Sequence, residues 1–170
     1  MTSEHISVKG RQAIVHQNAD RLSQRQLALF AQQISDSVSG SRFTKPLTPD
    51  EVTKLIISGM SLMLVDARDS DQLLAHTNIV PGTKRGKPVS FLGGWVSYAN
   101  GFGLEVMRLA AIKAVTDHGT DAIAKVHVLN TPAKRAMQNI GARRTGIGIS
   151  PATKNIVFTY NLTNVGRRKV

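Results

Sequence analysis

Apolar and polar positions along this chain repeat with two different periods, and the places where the period changes mark its elements. After a polar lead-in over residues 1–22, Leu27, Phe30, Ile34 and Val38 recur at helical spacing, with Ser23 as the starting cap and Gly40 as the stop. A second helix follows. Thr48 and Glu51 have the spacing of a capping box, Pro49 takes the first helical position, and Leu55 with Ile56 or Ile57 supplies a buried face before Gly59. From Ser61 the period shortens: "SLMLVDA" and "QLLAHTNIVPG" are apolar runs on either side of the charged turn "RDSD", as in two antiparallel strands. "GTKRGKP" is a loop that breaks this pattern. "VSFLGGWVSYA" then resumes it as a third strand, in which Gly93 and Gly94 mark a bulge or a close backbone approach.

Gly101 and Gly103 stand at the front of a long helix whose apolar stripe is Val106, Leu109, Ala110, Ala114 and Val115 and whose end is His118-Gly119. "AIAKVHVLN" is a strand, and "TPAKRAMQNIGA" a helix with Pro132 near its first position and Gly141 as its stop. Two strands around a "SPATKN" turn follow, ahead of a frayed basic tail over residues 163–170. With no internal repeat and no low-complexity linker, residues 1–170 are expected to form one domain, and deletion of residues 1–20 is expected to be tolerated. The strands near 91–97 and 122–129, joined by the long helix, imply one βαβ crossover. The expected fold class is therefore α/β of the mixed α+β kind, a mostly antiparallel central sheet with flanking helices.

Composition adds a charge asymmetry. The net charge is +11, yet residues 1–82 carry eight basic and eight acidic side chains, whereas residues 83–170 carry fourteen basic and three acidic. Such a field concentrates anions, whether nucleic acid, an acidic protein surface or a phosphate-bearing cofactor. No stretch approaches the ~18 apolar residues of a membrane span. No apolar run follows "MTSEHISVKGRQ" as a secretory signal requires, so a cytoplasmic protein without a membrane partner is expected. The absence of cysteine excludes disulfides, thiolate metal sites and cysteine nucleophiles. No His, Asp and Glu cluster at ligand spacing suggests a metal.

A strand that ends in Gly-x-Gly and enters a helix gathers unpaired N–H groups at the positive helix end, where glycine lets phosphate oxygens approach the main chain. A P-loop is excluded because no Gly-Lys-Ser/Thr is present, and the third glycine of the dinucleotide fingerprint is missing near Val106 and Met107. In the turn Tyr98-Ala99-Asn100-Gly101-Phe102-Gly103, and in Asn130, Ala133 and Gly141 one βαβ unit later, the chain resembles the Gcn5-related N-acetyltransferase (GNAT) family over residues 45–162. That family has Gln/Arg-x-x-Gly-x-Gly/Ala at the turn, and Tyr98 stands where its Gln or Arg would be. The resemblance implies acetyl-coenzyme A as co-substrate. It also implies a cofactor-binding set of Val96, Gly101, Phe102, Gly103, Asn130 and Ala133, with the turn's main-chain N–H groups on the pyrophosphate and Asn130 beside the pantetheine arm.

Acetyl transfer needs a neutral amine, an oriented thioester carbonyl and a proton source for the departing thiolate. Met137 replaces the helix tyrosine that often serves the family as that source, so the proton would come from water, from the substrate ammonium or from a residue such as Tyr98 or Tyr160; with Ser97, which the family geometry would place near the acetyl group, these are the catalytic candidates. Asp66, Asp69 and Asp71 fit turn chemistry, Glu105 fits the helix dipole, and His76 and His127 fit hydrogen-bonded strand residues better than a base. Trp95 would wall the acceptor pocket or pack in the core, and a bulge at Gly93-Gly94 would free an N–H for the thioester carbonyl. The expected activity is N-acetyl transfer to an unidentified amine. The alternatives are a nucleic-acid-associated protein, with a polyanion held by residues 83–170, and a catalytically degenerate protein that binds a partner. A homodimer through the late strands is a further expectation.

Overall fold

The computed structural model describes residues 3–168. Its order is β1 (His5–Val8), β2 (Arg11–His16), α1 (Gln24–Ser39), α2 (Pro49–Ile57), β3 (Ser61–Asp66), β4 (Leu73–Lys84), β5 (Lys87–Ser97), α3 (Phe102–Thr116), β6 (Asp121–His127), α4 (Thr131–Ile140), β7 (Arg143–Ile149), β8 (Ile156–Asn161) and α5 (Thr163–Arg167). The strands form one eight-stranded sheet in the order β1-β2-β3-β4-β5-β6-β8-β7. Every neighbouring pair is antiparallel except β5 with β6, the crossover that α3 completes.

Period-two alternation sorts the central strands between two layers. Leu62 and Leu64 of β3 face the cluster built on α3, α4 and α5, while Met63 and Val65 face the one built on α1 and α2. Both early helices begin with complete capping boxes, Ser23 with Gln26 and Thr48 with Glu51. In α2 the buried face is Val52 and Ile56, and Ile57 points to solvent.

Three expectations are corrected. The polar lead-in is a hairpin: β1 and β2 turn at Lys9-Gly10, both at positive φ (50° and 80°), and β2 pairs with β3 from Ala13↔Asp66 to His16↔Met63. Ala13 is fully buried, so this segment contributes to the core despite its polar look. The loop "GTKRGKP" is instead strand and turn, with β4 and β5 paired out to Lys84↔Lys87 around Arg85-Gly86 at φ 51° and 75°. Left-handed conformations at both central residues give the twist that a two-residue hairpin needs. Finally, the basic tail folds over Thr163–Arg167 as α5, burying Val165 and Gly166 against α3; Lys169 and Val170 lie outside the described residues. Gly166 approaches so closely that a Cβ there would sit 2.3 Å from the Ala111 carbonyl oxygen.

Candidate active site

The parallel pairing of β5 and β6 covers only Val89↔Asp121 to Leu92↔Ala124, although β5 runs on to Ser97 and β6 to His127. Beyond Leu92 the two strands part, and a cleft opens between them. One wall is Leu92, Gly93, Gly94 and Trp95, and the other is Ala124 to His127. Met107 of α3, with Asn130, which caps α4, and Ala133 and Met137 within α4, closes it on one face of the sheet, and Phe43 and Thr44 after α1 close it on the other.

The β5 wall is bent by a bulge at the expected glycines. Gly94 and Trp95 stand opposite Thr77 alone, and Gly94 has a φ of 57°. Beneath it the fully buried His76 holds the bulge from β4: its Nδ1 lies 2.9 Å from the Gly94 carbonyl oxygen and its Nε2 3.2 Å from Ser61 Oγ. Since a carbonyl only accepts, Nδ1 carries the proton. Burial pushes the imidazole pKa down to about 4, against the smaller opposing effects of its hydrogen bonds, so the ring is neutral and structural. Thr77 Oγ1 donates to the Gly93 carbonyl oxygen at 3.0 Å, fixing the second glycine.

At the end of β5 the chain turns through Gly101 at φ 87° into α3. The N–H of Phe102 donates to the Ala99 carbonyl oxygen (3.2 Å), whereas those of Gly101, Gly103 and Leu104 have no acceptor among the described residues. Such N–H groups at the start of a 15-residue helix suit an anion. The two glycines also have packing reasons. A Cβ on Gly101 would come within 2.8 Å of Val8 Cγ1, and one on Gly103 within 2.7 Å of Ser97 Cβ.

Of the residues singled out in the sequence, Asn130 and Ala133 line the cleft, joined by a hydrogen bond of 3.3 Å from the Ala133 N–H to Asn130 Oδ1. Met137, in the place of the family tyrosine, lies fully buried along the same wall. Ser97, Tyr98 and Tyr160 do not line it. Ser97 Oγ donates to the Ala99 carbonyl oxygen (3.0 Å) within the turn. The Tyr98 hydroxyl is held on α1, donating to the Gln33 carbonyl oxygen (3.0 Å) and lying 2.7 Å from Ser37 Oγ, and burial raises its pKa. Tyr160 is 3% exposed within the α3-side core, and Val96 packs toward α1 and α2. Sequence reasoning missed Phe43, whose ring meets His127 at a centroid distance of 4.9 Å over the cleft. His127 Nδ1 accepts the Leu129 N–H (3.0 Å), which places the proton of the neutral ring on Nε2 and makes it a donor toward its surroundings.

No protein-family model and no curated protein sequence matches the chain. Solved structures do. A GNAT-family acetyltransferase from Bacillus anthracis aligns with 93% of this chain and 96% of its own at a TM-score of 0.61 and 17% identity. Ribosomal-protein-S5-alanine acetyltransferase from Vibrio fischeri aligns over 93% and 95% at 0.68 and 8%. A chain of the NatC complex bound to Gag peptide and CoA aligns over 88% and 96% at 0.68 and 12%. These alignments reach well beyond residues 45–162, and the chain has the fold of the Gcn5-related N-acetyltransferases.

Proposed function

We propose that the chain is an acyl-coenzyme A dependent N-acetyltransferase that passes an acetyl group from acetyl-coenzyme A directly to an amine. The observation that carries this reading is the parting of β5 and β6 beyond Leu92, beside a helix N-terminus with unused N–H groups. An extended thioester fits between two diverging strands, with its carbonyl beside the bulged backbone at Gly94 and its phosphates at Gly101–Leu104. Acetyl-coenzyme A supplies the activated carbonyl: the amine nitrogen bonds to the carbonyl carbon, the C–S bond breaks, and the sulfur leaves with a proton.

The chain supplies position and electrostatics. His76 fixes the bulge, Trp95 and Met137 exclude water with their apolar surfaces, and Asn130 keeps its amide donors for a polar arm, since only its oxygen is used in capping Ala133. The titratable residues along the cleft are Lys125 and His127. His127 Nδ1 is occupied by the Leu129 N–H, so the amine enters neutral; once its nitrogen is bonded to the carbonyl carbon it releases a proton to solvent, and the departing thiolate takes one up from solvent.

Gly93 allows a test without damage to the fold. It lines the cleft, its φ is not in the left-handed region, and a Cβ added there meets no atom within 4 Å. Calorimetric titration with acetyl-coenzyme A should show binding to the wild type and none to Gly93→Leu, with the thermal midpoint unchanged. Thiol release with a panel of amines then reads turnover, free of protein thiols because the chain has no cysteine. Absence of binding to the wild type, or undiminished binding to Gly93→Leu, would refute the assignment.

A further inference from the structure

The excess positive charge is not gathered around the cleft. The first residue of β5 (Lys87), the first of β6 (Asp121), the last of β8 (Asn161) and the first of β7 (Arg143) all lie at one end of the sheet, whereas the cleft opens toward the opposite ends of β5 and β6. Six residue steps along β5 separate Lys87 from Gly93, about 20 Å at the usual rise. Cations at the far end therefore do not serve a ligand held in the cleft.

Two groups stand there. One is the projecting ribbon of β4 and β5. Pairing of β3 with β4 begins at Ser61↔Asn78, but β4 and β5 continue to Lys84↔Lys87, which carries Lys84, Arg85 and Lys87 past the body of the sheet. The ribbon is stiff. The Phe91 ring lies across Gly82, where a Cβ would meet its Cε2 at 2.5 Å, and Lys125 Nζ lies over the same ring, 5.4 Å from its centroid. Lys84, Arg85 and Lys87 have no carboxylate within ion-pair distance among the described residues. The second group is a cavity of about 220 Å³ lined by polar residues, among them Arg143, Arg167, Thr145 and Asn164. Its one carboxylate, Asp121, already accepts from Thr163 Oγ1 at 3.0 Å. Asp117, at the end of α3, accepts from Thr116 Oγ1 at 3.0 Å, and Glu4, ahead of β1, is paired with Lys113 at 3.5 Å.

From β5 to β7 is three strand steps, roughly 14 Å. A small anion could satisfy the cavity but not the ribbon as well, so the two together fit an extended row of negative charge. Of the large exposed apolar side chains, Leu29, Tyr98, Leu129, Ile147, Ile149 and Ile156 lie elsewhere, and Ile57, just ahead of β3, is the single one toward this end, where a protein partner would use several apolar anchors. Arginines with free forks match phosphate oxygens. We propose that this end of the sheet, ribbon and arginine cavity together, is a sequence-independent docking face for a nucleic-acid phosphate backbone, separate from the cleft.

The test is fluorescence anisotropy of a labelled RNA of mixed sequence, about 20 nucleotides long, titrated between about 50 and 200 mM salt. Each engaged cation contributes roughly 0.7 to the slope of log affinity against log salt for a single strand. Lys84→Gln/Arg85→Asn/Lys87→Gln should therefore flatten the slope by about 2, and Arg143→Gln/Arg167→Gln by about 1.4, with Lys9→Asn/Lys154→Asn, in turns at the opposite end of the sheet, as an unaffected control. Asparagine at 85 tolerates the left-handed turn. Acetyl-coenzyme A binding, measured on both docking-face variants, should not move, so failure of the docking face and failure of the acetyltransferase reading are told apart. The proposal is overturned if RNA does not bind at the lower salt, if both variant sets keep the wild-type slope, or if polyglutamate of equal charge displaces the RNA one for one, which would identify an acidic protein as the partner.

Discussion

Trp95 Nε1 donates to the Gly103 carbonyl oxygen at 2.9 Å, tying the bent wall of the cleft to the first turn of the helix that follows it. The same helix turn touches Ser97, so strand, glycine turn and helix behave as one packed unit. The glycine at 103 is thus required before any ligand is considered.

Gly103→Ala should destabilise the fold by about 1–3 kcal/mol, because its Cβ would overlap Ser97. Ser97→Gly removes both atoms that meet it first, Cβ at 2.7 Å and Oγ at 2.9 Å, and should restore most of the loss in the double variant. Urea unfolding of the four proteins measures the coupling. Strictly additive losses would show that the overlap is not the cause.

As the only tryptophan, Trp95 makes the cleft visible in fluorescence. Its emission should change saturably with acetyl-coenzyme A. Trp95→Phe, which keeps the ring but not the donor, should cost about 1 kcal/mol of stability and weaken ligand binding. A spectrum unmoved by ligand that calorimetry shows to be bound would place that ligand outside the cleft.

Stability should fall with acid in a window set by His76. Its pKa is about 4 when folded, below the ordinary 6.5, so between these values the unfolded chain binds a proton that the folded one does not. The stabilisation is complete above pH 6.5 and declines toward pH 4, by an amount on the order of 3 kcal/mol. His16, lowered by burial and by Arg21, acts in the same direction. Asp66, held low chiefly by the Arg68 N–H, loses its contribution only as pH falls below the ordinary 3.8. Unfolding midpoints at pH 7 and pH 5 should converge in His76→Leu, although that variant is weaker at both. An unchanged difference would assign the acid sensitivity to other groups.

Removal of residues 1–16 should yield insoluble or non-cooperatively folded chain, contrary to what a polar lead-in suggests. It strips β2 from β3 and leaves the edge of a fully buried strand without its partner. Circular dichroism and sedimentation of the truncated chain settle this, and a soluble monomer with the wild-type melting curve would contradict it.

The helices were legible because their signals are local: two capping boxes, a proline at the first position of α2, and Gly141 at φ 83° closing α4. The bulge was legible because paired glycines inside a strand have few other uses. Both missed hairpins share one cause. They turn on Lys9-Gly10 and Arg85-Gly86, where a basic residue takes the left-handed position usually given to Asn or Asp, so a charged tip hides the turn. The tail was missed because its burial depends on Gly166 meeting α3 across the fold. Phe43 over His127 is likewise a contact between distant segments, which no local pattern announces. The two tyrosines stand off the cleft for the opposite reason: Tyr98 is nearby in sequence, but its side chain is committed to α1, and Tyr160 is buried in the core.

The short parallel seam also has a kinetic consequence. β1 with β2, β3 with β4, β4 with β5, and β7 with β8 join strands adjacent in sequence, so each can zip from its own turn. The seam must instead bring Val89 to Asp121 across the whole of α3 and is held by four residue pairs, Val89↔Asp121 to Leu92↔Ala124. Its loop-closure entropy is compensated late, when α3 has already docked. By the same measure β2 with β3, which closes a longer loop from Ala13 to Asp66, is later still, so amide exchange from Val89 to Leu92 would report a late event of folding, and a ligand that bridges the two walls would slow it.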